Sequence, residues 1–370
     1  MEANIIFNKA LKVKSYAKIN LFLDVVRKMP EPIGYHEIVT LFSSIELCDH
    51  LHFYVSKIEH KPDYVAKIFR LPYKKISSGS INLGAENIKL IMVTEEDTEK
   101  CYSVPIDGLN TVSIAVKKLF SHVAFGKLNE KVYVYILFDK KIPTGAGLGG
   151  GSSNAAAALR SLNYLFGFGY SEETLIAISE RVGADVAFTL RGGAALAAGI
   201  GEKIHASYDF SPWPLVIVYP NFEVSSRDAY SAVKNFVKYD LSNMKPEAEE
   251  KARASALARA EKTAALLGGG GANFTGIGPA LYNKLEEPVF ARKHQIRDLK
   301  ESLYSFGYKN VLMTGSGSSM YALLDPRETP EALAAHFEKI QAEMHRKYSK
   351  TYKIFLTKTR RAAVWEKILS

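Results

Sequence analysis

The chain has 370 residues, 47% of them hydrophobic and 24% charged, which are the proportions of an ordinary globular protein. Its length suggests two domains or three. A membrane helix, a disulfide framework and a structural zinc site are not expected, because no stretch reaches ~18 uninterrupted apolar residues and Cys48 and Cys101 stand alone. We therefore expect a cytoplasmic protein. Its net charge of +9 leaves nucleic acid open as a partner.

The N-terminal part of the chain predicts β structure. Residues 11–26 alternate apolar and polar side chains, which is typical of a strand with one buried face, and Lys18 and Asn20 share the opposite face. Residues 37–55 continue as β-rich sequence, whereas residues 56–108 read as irregular and polar. A further strand is predicted at 131–139, where β-branched and aromatic residues predominate.

The segment after that strand predicts a loop and two helices. Six of the seven positions from 145 to 151 are Gly or Ala, and the Ala- and Leu-rich stretch 152–166 predicts a helix directly behind them. Ser171 is expected to cap a second helix that Gly183 ends.

The C-terminal part of the chain alternates helices and strands. The prediction is a strand at 215–219, a surface helix at 246–267 before four glycines, a helix to about 305, strands at 311–314 and 319–325, a helix at 329–349 and a strand at 352–357. Mixed elements in this order indicate an α+β chain, and a change of composition after Tyr208 predicts domains at 1–208 and 209–370.

The end of the chain carries most of the excess positive charge. Residues 339–370 contain nine Lys or Arg and two Glu, so the rest of the chain is near +2. A basic segment can bind nucleic acid, but a solvated helix and edge strand explain it more simply. We therefore expect no nucleic-acid partner.

The glycine-rich loop has the chemistry of a phosphate cradle. Glycines let backbone amides surround an anion, and the helix that follows supplies free N–H groups and a partial positive charge. Ser152 and Ser153 add hydroxyls that could contact phosphate or Mg²⁺. A dinucleotide fingerprint is excluded because residues 140–144 separate the strand from the loop and a second helix follows the first. A Walker A loop is excluded because no Lys follows Gly151, and a protein-kinase loop because the HRD and DFG signatures are missing. The alternative to a phosphate-binding loop is a tight turn that binds no ligand.

Other polar residues are weak signals when each is taken alone. Lys18 could be a solvent-facing strand lysine, Asp185 a turn or cap residue, and His36 an exposed loop histidine. Gly315 and Gly317 lie between two predicted strands. They would form either a simple hairpin turn or a second contact to a bound anion.

Together these runs resemble the GHMP kinase superfamily. The order is AKIN, GYHE, PTGAGLGGGSSN, GADVAF and VLMTGSGSS, and the first two runs are most similar to the 4-diphosphocytidyl-2-C-methyl-D-erythritol kinase family. The resemblance implies a two-domain fold, with an N-terminal glycine-loop domain and a ferredoxin-like C-terminal domain. It also implies ATP-dependent phosphorylation of the 2-hydroxyl of the cytidine-linked alcohol, in the non-mevalonate route to isoprenoid precursors.

The resemblance further implies roles for particular residues. Lys18 and Asp185 would be catalytic, with ATP and Mg²⁺ as cofactors and no protein-held metal. The ATP site would be formed by Asn110, Pro143, Thr144, Gly145, Ala146, Gly147, Leu148, Gly149, Gly150, Gly151, Ser152, Ser153 and Asn154. The substrate site would be formed by Asn20, Tyr35, His36, Ser226 and Tyr230, with the cytosine between the two tyrosines and His36 at its edge.

The sequence also departs from the family. Segments 56–108 and 235–275 are longer than the family needs, and Ser226 stands where a threonine is usual. The expected state is a monomer or homodimer with a small-molecule substrate and no membrane partner. The alternatives are another GHMP kinase of the mevalonate or homoserine type, a nucleic-acid-binding protein, or a relative that binds ATP without turnover.

Overall fold

The structure is a computed structural model. It describes residues 5–30, 35–83, 87–96, 102–122, 130–210, 212–233, 241–348, 352–361 and 367–369. Within these ranges, no helix combines the length and the apolar character that crossing a bilayer requires.

The strands form two sheets. They are β1 (Ala10–Lys28), β2 (His36–Ser56), β3 (Ile76–Leu83), β4 (Ile88–Glu95), β5 (Val132–Asp139), β6 (Ala194–Ala198), β7 (Lys203–Tyr208), β8 (Pro214–Tyr219), β9 (Tyr282–Asn283), β10 (Val311–Met313), β11 (Met320–Leu323), β12 (Lys353–Lys358) and β13 (Lys367–Leu369). The large sheet has the order β13-β1-β2-β5-β4-β3, with β6 and β9 pairing beside it, and the small sheet has the order β10-β11-β8-β12.

Helices cover both sheets. They are α1 (Pro62–Ile68), α2 (Thr111–His122), α3 (Gly150–Leu165), α4 (Glu172–Ser179), α5 (Ala184–Arg191), α6 (Ser226–Ala232), α7 (Pro246–Gly268), α8 (Phe274–Ile277), α9 (Glu286–Arg292), α10 (His294–Ser305) and α11 (Pro330–Tyr348). The four consecutive alanines 155–158 of α3 are buried, and their small side chains let α3 lie close to α2 and β1.

Two parts of the secondary-structure prediction were wrong. Segment 56–108 is not irregular, because it contains α1 and the hairpin β3–β4. The strand β3 was missed because most of its residues are polar. The second helix begins at the Ser171 cap as predicted but ends at Ser179, and Gly183 precedes a separate helix, α5. Gly183 is extended, with φ 177°, and α5 starts directly after it with Asp185 in its first turn.

The C-terminal part of the chain contributes to both sheets. The predicted helix 329–349 and strand 352–357 are found as α11 and β12, and β12 pairs with β8. However, β9 and β13 pair with β1, and α7 lies against β1 and β2. The domain boundary after Tyr208 stays a prediction. With that boundary, β9, β13 and α7 would belong to the C-terminal domain but pack against strands of the N-terminal one.

Candidate active site

Lys18 and Asp185 come together although they are far apart in the chain. Lys18 lies on β1, directly after a register shift in its pairing with β2, and only 4% of its side chain is exposed. Its Nζ atom is 3.3 Å from Asp185 Oδ2 and donates a hydrogen bond of 2.8 Å to Asn20 Oδ1. The Asp185 side chain is 28% exposed, so it can reach a bound ligand. The arrangement is a buried cation held between an amide oxygen and an accessible carboxylate.

Neighbouring strands fix the orientation of Asn20. Its Nδ2 donates to Thr40 Oγ1 at 2.8 Å, and Thr40 in turn donates to the Phe22 carbonyl oxygen. The Asn20 backbone N–H donates to Thr314 Oγ1 at 3.2 Å. Because its amide nitrogen is committed to Thr40, Asn20 presents its oxygen to Lys18.

The glycine loop needs glycine at particular positions. Gly145, Gly147 and Gly149 have φ values of 62°, 77° and 69°, in the left-handed region that favours glycine. A Cβ on Gly147 would lie 2.1 Å from the Thr314 carbonyl oxygen, and one on Gly149 would lie 2.8 Å from Lys18 Cγ. The loop therefore touches the Lys18 side chain directly and leads into the N-terminus of α3.

The hairpin turn expected at Gly315 and Gly317 joins β10 to β11 and packs against this loop, while a second anion contact there stays a prediction. The Ser319 N–H donates to the Ala146 carbonyl oxygen at 3.2 Å, and Thr314 Oγ1 donates to the Gly147 carbonyl oxygen at 3.2 Å. Gly315 lines the same cleft as the loop. This turn supports the glycine loop from the opposite side and is more than a solvent-exposed hairpin.

Three of the predicted ATP-site side chains differ in whether their hydrogen-bonding atoms already have partners in the protein. Ser153 donates its hydroxyl to the Tyr16 carbonyl oxygen at 2.5 Å and does not line the cleft. Asn110 caps α2, since its Oδ1 accepts from Ser113 N–H at 3.0 Å and its Nδ2 donates to the Pro105 carbonyl oxygen. Asn154 lines the cleft, and its buried Oδ1 has no hydrogen-bond partner among the described residues. Of the three, Asn154 has the free acceptor.

The predicted cytosine residues lie at the end of the cleft formed by β2 and α6. The rings of His36 and Tyr230 are stacked, with centroids 5.7 Å apart and an interplanar angle of 26°, whereas Tyr35 is 60% exposed. Burial, and then the neighbouring Lys28, lower the pKa of His36, so its ring is neutral at neutral pH. Burial, and then Asp185, raise the pKa of Tyr230. Ser226 lies beside them and shares a hydrogen bond of 2.8 Å with Ser316.

All the predicted catalytic, ATP-site and substrate-site residues except Ser153 line one cleft of about 1920 Å³. Small-molecule pockets usually measure ~300–1,000 Å³, so this cleft has room for two ligands side by side. Besides burial, the nearby Asp185 raises the pKa of Tyr230, and Lys18, the partner of Asp185, touches Gly149, so the pair connects the predicted cytosine residues with the glycine loop.

Comparisons with known proteins agree with this architecture. The family models for the GHMP kinases N terminal domain and the GHMP kinases C terminal region match residues 110–195 and 272–342. A 4-diphosphocytidyl-2-C-methyl-D-erythritol kinase from Pelotomaculum thermopropionicum is 32% identical over 89% of this chain and 94% of its own length. One from Enterococcus faecalis is 30% identical over 84% of this chain and 89% of its own length.

The chain belongs to the 4-diphosphocytidyl-2-C-methyl-D-erythritol kinase family.

Two solved structures extend the comparison. A crystal structure of 4-(cytidine 5'-diphospho)-2C-methyl-D-erythritol kinase aligns with a TM-score of 0.59 and 25% identity, over 94% of this chain and 98% of that one. A homoserine kinase from Cytophaga hutchinsonii aligns with a TM-score of 0.63 and 16% identity, over 98% and 97%. The second match shows the fold alone, and the predicted two-domain GHMP kinase fold is confirmed.

The cleft of this GHMP kinase contains residues that the sequence did not single out. Val104, Pro105 and Leu109 add an apolar wall to the cleft, and Leu109 is 84% exposed. They were missed because they fall within or directly behind the segment read as irregular. An apolar wall of this kind suits a flat heterocycle.

A buried ion pair at the entrance to the glycine loop was also missed. Asp49 is fully buried, forms an ion pair with Lys140, and accepts from the backbone N–H groups of Lys141 and Ile142 at 2.8 Å each. A lone Asp in β2 gives no sequence signal for this, because its partners come from beyond β5. The three bonds fix the chain where it enters the phosphate loop.

Proposed function

We propose that this kinase transfers the γ-phosphoryl group of ATP to the 2-hydroxyl of 4-diphosphocytidyl-2-C-methyl-D-erythritol. The observation that carries the proposal is the contact of Lys18 with Asp185, Asn20 and the glycine loop at the centre of one two-ligand cleft. The names of the 30–32% identical relatives support the choice of substrate.

The glycine loop would hold the phosphates of ATP. Its left-handed glycines and the N-terminus of α3 offer backbone N–H groups and a positive partial charge to an anion. Asn154 adds its unpartnered amide oxygen to the cleft wall. The apolar wall at Val104, Pro105 and Leu109 would take the adenine.

Lys18 and Asp185 would act on the attacking hydroxyl. Phosphoryl transfer has a loose transition state, so positioning and charge neutralisation carry most of the catalysis. The Asp185 carboxylate would accept or orient the proton of the hydroxyl. Lys18, 3.3 Å from it, would hold that carboxylate in place and stabilise the negative charge on the oxygen atoms around it.

Magnesium would be held mainly by the nucleotide. Among the described residues, no group of three or more His, Cys, Asp or Glu side chains could hold a metal ion by itself. Mg²⁺ usually keeps several waters and binds through substrate phosphates in kinase sites. Ser152 lines the cleft beside the loop and would supply an oxygen from the protein. When bound, the ion would neutralise charge that develops on the phosphates.

Tyr35, His36 and Tyr230 would recognise the cytosine. In the structure Tyr230 stacks on His36 at 5.7 Å, which leaves no room for a base between those two rings. A base held between Tyr35 and Tyr230 would therefore use the exposed Tyr35 ring as its outer face. The neutral His36 would offer one donor and one acceptor to the rim of the base.

A substrate panel tests the proposal. ADP release is measured with the cytidine-linked alcohol, mevalonate and homoserine, each with ATP and Mg²⁺. We expect turnover with the first and at least ~100-fold lower kcat/KM with the others, since they lack the group that Tyr35 and His36 would bind. Equal turnover of mevalonate or homoserine would retain a GHMP kinase and refute the substrate. Cytoplasmic location and the monomeric or dimeric state stay predictions.

A further inference from the structure

The segment 241–268 lies against the end of the cleft assigned to the cytosine. It belongs to the region 235–275 that the sequence marked as longer than the family needs. Leu241 and Ser242 line the cleft beside His36, and the Leu241 carbonyl oxygen accepts a hydrogen bond of 2.8 Å from Lys28 N–H, at the end of β1. From there the chain runs into α7, which returns across β1 and β2.

A buried charge cluster ties α7 to the residue next to His36. Arg253 of α7 donates to Glu37 twice, from Nε to Oε1 at 2.5 Å and from an Nη atom to Oε2 at 3.0 Å. Arg27 donates to Glu37 Oε2 at 2.6 Å and reaches Glu249 of α7 at 3.1 Å. Glu37 is only 5% exposed, and a two-point hydrogen bond from an arginine fixes direction as well as distance.

Glu37 is placed to hold His36 without touching a ligand. Successive side chains in a strand point to opposite faces, and here His36 lines the cleft while Glu37 does not. His36 and Glu37 begin β2, where they pair with Lys28 and Arg27 at the end of β1. A rotation of the Glu37 backbone would therefore turn the His36 ring away from its place on Tyr230.

We infer that Arg253 is a positioning residue for recognition of the cytidine base, acting through Glu37 on His36. The inference rests on the proposed function and adds a role for the longer segment. In this arrangement α7, a helix from the C-terminal part of the chain, helps to fix the position of His36 in the cleft.

Other residues keep α7 attached to the sheet when Arg253 is changed. The α7 side chains Ala256, Ala260, Ala264 and Leu267 are buried in the core with β1 and β2. Arg259 forms an ion pair of 3.0 Å with Asp24, with its guanidinium 4.2 Å from the centre of the Tyr282 ring. Arg259 is therefore a matched control: an arginine of the same helix, paired with a carboxylate of the same strand pair that is not next to His36.

The test compares Arg253→Met with Arg259→Met in the full chain. For Arg253→Met we expect KM for the cytidine-linked alcohol to rise about 10-fold, the order of effect expected when one contact to a base is weakened. KM for ATP and kcat should stay within about twofold, because the glycine loop and Lys18 are untouched. Arg259→Met should leave both KM values unchanged. Arg253→Lys, which keeps the charge but cannot bind Glu37 in the same two-point geometry, should fall between wild type and Arg253→Met.

Binding without turnover separates this inference from the proposed function. The Kd of the cytidine-linked alcohol, measured by calorimetry in the absence of ATP, should rise with KM in Arg253→Met. Equal effects of Arg253→Met and Arg259→Met on Kd and KM would overturn the positioning role and leave the kinase intact. A wild-type protein that neither binds nor phosphorylates the alcohol would overturn both. If Arg253→Met does not fold, Arg253→Gln is judged by the same criterion.

Discussion

The change Asp185→Asn removes one negative charge from the cleft and keeps the size of the side chain. In the structure it takes away the carboxylate 3.3 Å from Lys18 Nζ and leaves the Asn20 amide oxygen, at 2.8 Å, as the neighbouring acceptor. A positioned acid–base group is worth about 10²–10⁴-fold in rate. We therefore expect kcat to fall at least ~100-fold, which corresponds to about 2.7 kcal/mol in the activation barrier.

The assay separates chemistry from nucleotide binding. ADP release at saturating cytidine-linked alcohol gives kcat, and fluorescence or calorimetric titration gives the Kd of ATP. That Kd should stay within about threefold, because in the proposed site the loop from Gly145 to Gly151 would bind the phosphates by backbone groups that the substitution leaves in place. Asp298→Asn, a similar change on a half-exposed residue of α10, is the control for general effects on stability.

Lys18→Met and the double variant test whether the two side chains act as a unit. Each single change should cost at least ~100-fold, and the double variant should cost less than the product of the two, as for other catalytic groups that work together. Asp185→Asn with wild-type kcat would refute the reasoning, because Asp185 would then serve only as a first-turn residue of α5. Fully multiplicative effects would refute the coupling between Lys18 and Asp185.

Three further predictions concern the loop, the base and a buried histidine. Gly147→Ala should raise the Kd of ATP and lower the melting temperature more than Gly169→Ala, since both glycines have positive φ but only the first would place a Cβ 2.1 Å from the Thr314 carbonyl oxygen. Tyr35→Ala should raise KM for the cytidine-linked alcohol ~10-fold with an unchanged melting temperature, because a 60% exposed ring contributes to a ligand more than to the core; an unchanged KM would remove the stacking role. His52 is buried and its pKa is lowered to about 4 by burial, so the unfolded chain binds its proton more readily and the free energy of unfolding should fall as pH drops from about 6.5 to about 4. His52→Leu should flatten that dependence in urea unfolding at a series of pH values.

Local signals were enough to predict the elements nearest the phosphate loop. The glycine loop from 145 to 151 and the alanine-rich α3 could be predicted from one short stretch of sequence. Positive φ and helix propensity are properties of single residues. Ser171 likewise caps α4 as predicted, accepting from Thr174 N–H. Such features do not depend on distant parts of the chain.

Contacts between distant segments could not be predicted from the residues alone. The pairing of Lys18 with Asp185 follows from the path of α5 after the extended Gly183, and only the resemblance to a known family connected them. Nothing in the sequence near Glu37 indicates that Arg253 will meet it. Two charged residues on separate elements are compatible with many partners, and packing alone selects one.

Backbone shape does not decide which alcohol such a kinase phosphorylates. The homoserine kinase aligns at a TM-score of 0.63 and the cytidine-substrate kinase at 0.59, although the second is the more similar in sequence, at 25% against 16% identity. In the proposed site, the glycine loop and the Lys18–Asp185 pair would act on the phosphates and the hydroxyl, which every substrate of such a kinase has to present. Discrimination must therefore come from the periphery, and here that periphery is the exposed Tyr35, the His36–Tyr230 stack and the segment that begins at Leu241. Since these residues belong to strand ends and a helix rather than to the loop, substrate choice can change through side chains while the phosphate chemistry stays fixed.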